Sequence, residues 1–264
     1  MPGESLLIGT SGYSFADWVG PFYPPGTRAP DFLSFYSQHF RAVEINATYY
    51  RIPPPSVLER MEQKTPPGFH FVVKLHQSMT HERSLDPELY RQFRALLEPL
   101  KQAGKFDGLL AQFPWGFRRT PENRRFLAAL RERFDDEPLF VEFRNDSWLT
   151  PELEPSLREH RLGFCAVDEP RLDGLLPPVT ALTTEDAYVR FHGRNARNWW
   201  GRGGGDRYDY DYSRTELTEW LQKISALAER ARRTYLFFNN CHAGQAARSA
   251  KLMQELLRQQ GWKA

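Results

Sequence analysis

Residues 139–148 read LFVEFRNDSW. The stretch starts with three apolar residues, Leu139 to Val141, as a buried strand does, and then places Glu142 and Arg144 two positions apart. Side chains two apart on a strand share one face of the sheet. The stretch therefore predicts a buried strand that carries two opposite charges on one face at its C-terminal end.

Seven similar runs accompany this one along the chain. They are too continuously apolar for strands exposed on one face, and such runs are typical of a parallel sheet that is covered on its outer side. The eight runs are SLLIGTSG (5–12), AVEIN (42–46), HFVVKLH (70–76), GLLAQF (108–113), LFVEFR (139–144), GFCAVD (163–168), AYVRFH (187–192) and TYLFFNN (234–240).

Helical patterns separate these runs, and cap residues of two kinds mark their starts. Asp86, Thr120 and Thr150 each precede a proline, and Ser56 with Glu59 and Ser213 with Glu216 have the spacing of a capping box. Strand and helix alternate eight times, which predicts one (β/α)8 TIM barrel over residues 1–264. A doubly wound open sheet is the main alternative, but GTSGYS (9–14) lacks the G-x-G-x-x-G turn of that fold.

Two segments interrupt the regular alternation. Residues 169–186 contain three prolines and no helical stripe, so we expect the sixth helix to be short or missing. Residues 193–212 form a long Gly-rich and aromatic loop after the seventh strand, and loops of that length are usually functional or disordered.

Polar residues end most of the eight runs. They are Glu44 and Asn46, Lys74 and His76, Gln112, Glu142 and Arg144, Asp168, Arg190 and His192, and Asn239. In a TIM barrel these ends meet at the C-terminal mouth, where active sites lie. The alternative is a set of salt bridges that plugs the barrel, such as Glu142 with Arg190. Burying charges costs several kcal/mol per ion, so their number favours a site.

Aromatic and basic residues follow the same strand ends. Trp148 follows the fifth strand, and Trp199, Trp200 and Tyr208 lie in the long loop among Arg194, Arg197, Arg202 and Arg207. Aromatic side chains stack on sugars or nucleobases. The ends of strands seven and eight often bind phosphate in this fold. The pattern therefore favours a phosphate-bearing ligand.

Composition gives weaker guidance. The net charge of +2 is no evidence for a nucleic-acid coat protein, so any positive site must be local. Two cysteines without metal spacing indicate free thiols in a reducing compartment. The N-terminus does not resemble a signal peptide, and no apolar run is long enough to span a bilayer. We therefore expect a cytoplasmic protein with no membrane partner.

Five ordered segments resemble the YecE-like family, also called domain of unknown function seventy-two. They are GTSGYSFADWVGPFYP (9–24), FRAVEINATYY (40–50), EFRNDSW (142–148), YVRFHGRN (188–195) and FFNNCHAGQAA (237–247). The resemblance implies a TIM barrel but no established activity, and the likeness of the family's barrel to the endonuclease IV-like superfamily implies nucleic-acid binding. Ser249 stands where the family tends to carry asparagine. The family's polar positions fall here on Glu44, Asn46, Glu142, Arg144, Trp148, Arg190, His192, Arg194, Asn239 and Asn240.

Three functions fit these residues. The first is an enzyme on a nucleotide or phosphodiester, a hydrolase with Glu142 or Glu44 as base, His192 as acid or partner, and Arg144, Arg190 and Arg194 on the phosphate. The further substrate-binding candidates are Asn46, Lys74, Trp148, Trp199, Asn239 and Asn240. A metal-dependent variant would use Glu44, Glu142, Asp168 and His192. No redox-cofactor motif appears, so no cofactor is expected. A divalent metal stays an alternative, but few histidines end the strands, so tight metal binding is not favoured.

The second function is a glycosidase that pairs Glu142 with Glu44 or Asp168 around a sugar. Against it, strands four and seven carry Gln112 and Arg190 where common barrel glycosidases place their acids. The third is a nucleic-acid-binding module without catalysis, for which the arginines and aromatic residues of the long loop would suffice.

Overall fold

The computed structural model describes residues 6–201 and 206–263. Its eight strands pair in parallel in chain order, and the last pairs with the first, so the sheet is a closed barrel. This confirms the predicted (β/α)8 fold. The strands are β1 Leu6–Ser11, β2 Ala42–Ile45, β3 His70–Lys74, β4 Phe106–Gln112, β5 Leu139–Glu142, β6 Gly163–Asp168, β7 Asp186–Phe191 and β8 Arg233–Phe238.

Helices cover the outside of the barrel except after β6. Residues 169–185, all of them described, contain no helix, so the prediction that the helix after β6 is short or missing is confirmed. Both cysteines are free. No helix within the described ranges is long and apolar enough to cross a bilayer. The helices are α1 Phe32–Tyr36, α2 Ser56–Gln63, α3 Gln77–Thr80, α4 Pro87–Gln102, α5 Pro121–Arg133, α6 Leu153–Glu159, α7 Arg214–Ala228 and α8 Gln245–Gln259.

Three of the five predicted helix caps are confirmed. Asp86 and Thr120 accept backbone hydrogen bonds at the starts of α4 and α5, and Ser213 with Glu216 forms a capping box at α7. The prediction for Ser56 is wrong, because Pro55 is already helical and places Ser56 inside α2. That for Thr150 is also wrong, because two turn residues delay α6 until Leu153.

Aromatic side chains fill the barrel below its C-terminal end. The ring of Tyr188 on β7 lies 4.7 Å from that of Phe140, 5.8 Å from that of Tyr235 and 5.4 Å from that of Phe237. The positions two residues further along β5 and β7 are Glu142 and Arg190, and residues two apart share a face. A charged layer therefore rests on an apolar aromatic floor.

The contact between β1 and β2 depends on a glycine. A Cβ atom on Gly9 would overlap the carbonyl oxygen of Ala42 and lie 2.9 Å from the hydroxyl of Tyr36. That hydroxyl donates to the same carbonyl at 3.0 Å and accepts from the backbone N–H of Thr10 at 2.8 Å. A side chain here would displace backbone as well as the Tyr36 bonds.

We expect Gly9→Ala to lower the free energy of unfolding by about 2–4 kcal/mol, because the strands must move apart to admit one methyl group. Gly116→Ala is the control, since a Cβ atom added there would have no other atom within 4 Å. Urea unfolding followed by circular dichroism measures both. Equal stability of Gly9→Ala and the parent would contradict this account of the β1–β2 contact.

Candidate functional site

One arginine bridges two carboxylates inside the charged layer. Arg190 on β7 donates from Nη1 to Glu142 Oε2 at 2.6 Å and from Nη2 to Glu44 Oε1 at 2.7 Å. Tyr188 also donates to Glu44, at 2.6 Å. All three charged side chains have 0–1% of their surface exposed. The structure therefore contains the Glu142–Arg190 salt bridge of the plug alternative, in a layer whose charged side chains are removed from solvent.

Glu142 is surrounded by donors. Its Oε1 accepts a hydrogen bond from Arg144 Nε at 2.5 Å and lies 3.2 Å from His192 Nε2. Its Oε2 accepts the hydrogen bond from Arg190 and lies 3.8 Å from the Cys165 thiol. Burial would raise the pKa of Glu142, but the two arginines outweigh it and hold that pKa well below its ordinary value. Such a carboxylate is a weak base, which disfavours the catalytic role expected for Glu142.

The neighbours of His192 define its tautomer. Its Nδ1 lies 3.1 Å from the Asn239 amide nitrogen and 3.5 Å from Arg144 Nη2, and both of these are donors. We infer that Nδ1 accepts and that Nε2 carries the proton towards Glu142. Burial and the Arg144 charge lower the pKa of His192 to about 3. The imidazole is therefore neutral near pH 7 and fits the role of a partner that orients Glu142, rather than that of an acid.

A cleft of about 640 Å³ opens above the charged layer. Its polar base includes Lys74, Gln112 and Arg144. Its walls are mainly aromatic side chains from the loops after β2, β4 and β7. The remaining lining residues are Tyr49, Tyr50, Gln77, His81, Pro114, Trp115, Leu175, Trp199, Trp200, Arg207 and Tyr208.

Lys74 at the base has no acidic partner among the described residues. Its ammonium donates to Gln112 Oε1 at 2.9 Å and lies 4.4 Å from the centre of the Tyr49 ring. Burial and the nearby Arg190 lower the pKa of Lys74 to about 7, against partial compensation by Glu142 and Glu44. The side chain therefore changes its charge close to neutral pH.

Arg144 connects the buried layer with the cleft. Beyond Glu142 it donates from Nη1 to Glu169 Oε2 at 3.0 Å, and its guanidinium lies 5.7 Å from the Trp199 ring centre. Burial raises the pKa of Glu169 to about 8 even though Arg144 opposes the shift. Near pH 7 Glu169 is therefore mostly neutral, and the charge of Arg144 is balanced by Glu142 alone.

Asp168 was grouped with the other acids, but it does not belong to the charged layer inside the barrel. It is buried on the opposite, outer face of β6. Its carboxylate accepts from Tyr212 at 2.7 Å, from Trp220 at 2.5 Å and from Arg194 at 2.7 Å. Cys165 on the same strand faces Glu142, and a residue three positions on points to the opposite face. The four supposed metal ligands are therefore not brought together as one set, because Asp168 is separated from Glu44, Glu142 and His192. The described residues contain no cluster of three or more side chains that could hold a metal ion.

Several other predicted binding residues also lie away from the cleft. Arg194 is occupied by Asp168 and Glu219, and Trp148 stacks on Phe143 with ring centres 4.1 Å apart behind the strands. Asn240 donates to the Tyr210 carbonyl and to Ser249, the residue that departs from the family pattern.

Four of the remaining predicted residues line the cleft or contact the layer beneath it. Lys74, Arg144 and Trp199 line the cleft, and Asn239 contacts His192 beneath it. Asn46 has a buried Oδ1 for which the described structure provides no hydrogen-bond partner.

Sequence reasoning missed two titratable residues of the site. Glu169 follows the last residue of β6, and His81 lies in the segment after β3; neither belongs to a recognisable motif. Gln112, Arg207 and the rim aromatics other than Trp199 were visible in the sequence but were not selected as ligand-binding residues. Arg202 lies outside the described residues.

The fold and site define a class: a TIM barrel whose mouth holds an aromatic cleft over a sealed charged layer. The family model described as "Protein of unknown function DUF72" matches residues 7–264, and the chain belongs to this family. It is 34% identical to UPF0759 protein YunF of Bacillus subtilis (strain 168), covering 96% of this chain and 94% of that protein. It is 26% identical to UPF0759 protein YecE of Escherichia coli (strain K12), covering 86% and 85%.

Solved structures agree with this assignment. A DUF72 family protein from Thermotoga maritima superposes with a TM-score of 0.90 at 41% identity, covering 96% of this chain and 99% of the other. A DUF72 family protein from Enterococcus faecalis gives 0.86 at 27% identity, covering 96% and 95%. The family resemblance inferred from the sequence is thus confirmed.

We expect Arg190→Met to lower the free energy of unfolding by about 3–5 kcal/mol, because it leaves Glu44 and Glu142 buried without their shared cation. Arg214→Met is the matched control: Arg214 pairs with Glu255 on the surface, where such pairs contribute about 0–1 kcal/mol. Urea unfolding at pH 7 compares the two variants with the parent. Equal effects of both substitutions would show that the bridge is not needed for stability.

Proposed function

We propose that the cleft binds a phosphate-bearing ligand, a nucleotide or a short single-stranded segment of nucleic acid. The carrying observation is the cationic base of the cleft. Arg144, Lys74 and Arg207 line it, and within the described ranges the only acids that contact Arg144 are Glu142 below it and the mostly neutral Glu169. A phosphate would supply the anion that Lys74 lacks among the described residues, and it would also accept hydrogen bonds from Arg144 and Arg207.

The aromatic walls support a ligand with a flat ring. Trp115 and Trp200 lie with ring centres 5.5 Å apart and have 41% and 55% of their surface exposed, and Tyr50 is 75% exposed. Large apolar rings that remain in contact with water mark interaction surfaces when they cluster. Base stacking on such rings contributes about 1–3 kcal/mol per base.

The geometry favours binding over hydrolysis. A general base must reach its substrate with a free lone pair. Glu142 and Glu44 are both bridged by Arg190 and sealed from the cleft. The same bridge disfavours the glycosidase alternative, since two carboxylates joined through one guanidinium cannot flank a sugar.

A dinucleoside monophosphate tests the proposal, because it offers one phosphodiester and two bases. We expect wild type to bind it and Lys74→Gln and Arg207→Gln each to weaken binding about tenfold, the effect of one charge-assisted hydrogen bond. Trp200→Ala should weaken binding through lost stacking. Isothermal calorimetry at pH 6.5 measures the affinities.

Lys64→Gln is the control for the calorimetry. Lys64 is an exposed lysine that contacts the Pro30 carbonyl, away from the cleft. The proposal fails if the parent does not bind the ligand, or if Lys64→Gln weakens binding as much as Lys74→Gln does.

Binding should also weaken as pH rises through 7 to 8. Lys74 loses its proton with a pKa of about 7, and Glu169 gains a negative charge with a pKa of about 8. Both changes make the base of the cleft less favourable for an anion. His81, the histidine that lines the cleft, stays neutral over this range, since burial lowers its pKa to about 4. A phosphodiester keeps a constant charge over this range, so any change reports the protein.

We expect at least about a tenfold rise in Kd between pH 6 and pH 8.5 for the parent protein. Lys74→Arg and Glu169→Gln should each remove part of the dependence, and the double variant should remove nearly all of it. Calorimetry across the pH range measures this. A double variant that retains the full dependence would assign it to other groups.

A further inference from the structure

Lys74 differs from the other lysines of the chain in where its amine lies. Lys101 and Lys105 are paired with Glu137 and Glu62, and the rest contact carbonyls, rings or solvent outside the cleft. Among the lysines in the described ranges, Lys74 alone lines the cleft. Its amine contacts the amide oxygen of Gln112 and the ring of Tyr49 there. Such a setting suits a reactive amine, since no carboxylate holds it as an ammonium ion.

We infer that Lys74 is a nucleophile that forms an imine with the carbonyl carbon of a phosphate-bearing aldehyde or ketone. Two features of the cleft support this inference. The Lys74 amine at its base has no acidic partner within the part of the chain that the structure describes, and the guanidinium groups of Arg144 and Arg207 lie in the same cleft for the phosphate. That the substrate carries a phosphate rests on the proposed function. That Lys74 is nucleophilic rests on the contacts of its amine.

The reaction balances without a further reactant. The lone pair of the neutral amine attacks the carbonyl carbon, and the π electrons of the carbonyl move to its oxygen, which takes a proton from the nitrogen. The resulting carbinolamine loses that oxygen as water, together with the second proton of the amine. A C=N bond replaces the C=O bond, and nothing is oxidised or reduced.

The surroundings of Lys74 supply the neutral amine that this step needs. Because burial and Arg190 lower the pKa of Lys74 to about 7, the Lys74 amine is unprotonated in about half of the protein molecules at pH 7. An ordinary lysine with a pKa of about 10.4 is almost entirely charged there. The charged and titratable groups around the amine are Arg144, Arg190, Glu142, Glu44, His81 and Tyr49.

Pyridoxal 5′-phosphate is the probe, because it combines an aldehyde, a phosphate and an aromatic ring. The full chain is incubated with it and reduced with borohydride, and the modified lysines are identified by peptide mass mapping. Lys223 is the internal control: burial also lowers its pKa, but it contacts the Pro178 carbonyl outside the cleft. Pyridoxine 5′-phosphate, which has an alcohol in place of the aldehyde, measures phosphate binding alone.

We expect labelling at Lys74 to be at least about tenfold faster than at Lys223 at pH 7, and to rise with a midpoint near pH 7. Pyridoxine 5′-phosphate should compete with the label. Lys74→Arg should lose the rapidly formed adduct, because a guanidinium is not a nucleophilic amine, while the slow labelling at Lys223 should match that of the parent.

The outcomes separate this inference from the proposed function. If pyridoxine 5′-phosphate binds but Lys74 is labelled no faster than Lys223, the inference is overturned and phosphate binding stands. If Lys74 is labelled quickly but pyridoxine 5′-phosphate neither binds nor competes, the amine is reactive and the phosphate-bearing class of substrate is overturned. If the probe labels no lysine selectively and pyridoxine 5′-phosphate does not bind, both proposals fall.

Discussion

The guanidinium of Arg190 holds two carboxylates from non-adjacent strands across the interior of the barrel. It lies 2.7 Å from Glu44 and 2.6 Å from Glu142, and all three side chains are removed from water. Burying one such ion costs several kcal/mol, so the arrangement survives only as a complete set. Because Glu142 is held there, its other oxygen can receive Arg144, and Arg144 carries positive charge up to the base of the cleft. The buried layer therefore fixes the position of the Arg144 charge at the base of the cleft.

That buried layer also determines how the cleft titrates. Burial and the two arginines act together on Lys74 and lower its pKa to about 7, while burial raises that of Glu169 to about 8. Below this range Lys74 is charged and Glu169 is neutral, and above it the reverse holds. Since Arg144 and Arg190 are balanced by Glu44 and Glu142, the combined charge of Lys74 and Glu169 changes from positive to negative over this range. Neither group needs an unusual partner, since desolvation is the first cause in both cases.

The sequence predicted the barrel because eight apolar runs and their helical spacers are local features that need no knowledge of contacts. Parity along β5 and β7 was also readable, since polar Glu142, Arg144, Arg190 and His192 alternate with apolar neighbours. On β6 the run GFCAVD does not alternate, so nothing showed that Asp168 points outward to Trp220 and Tyr212. The sequence also could not show which charges the closed barrel seals and which it leaves at the cleft, because that depends on depth along the barrel axis.

Depth explains the pair of charges in LFVEFRNDSW. Along β5 and the residue that follows it, Phe140 packs in the aromatic floor, Glu142 in the charged layer and Arg144 at the cleft, each two residues above the last. Stacked layers of inward side chains are the rule in this fold. The middle layer cannot change one member without stranding another, so it holds the structure together. Contacts with a ligand therefore fall to the top layer and its loops, where Lys74 has no acidic partner among the described residues.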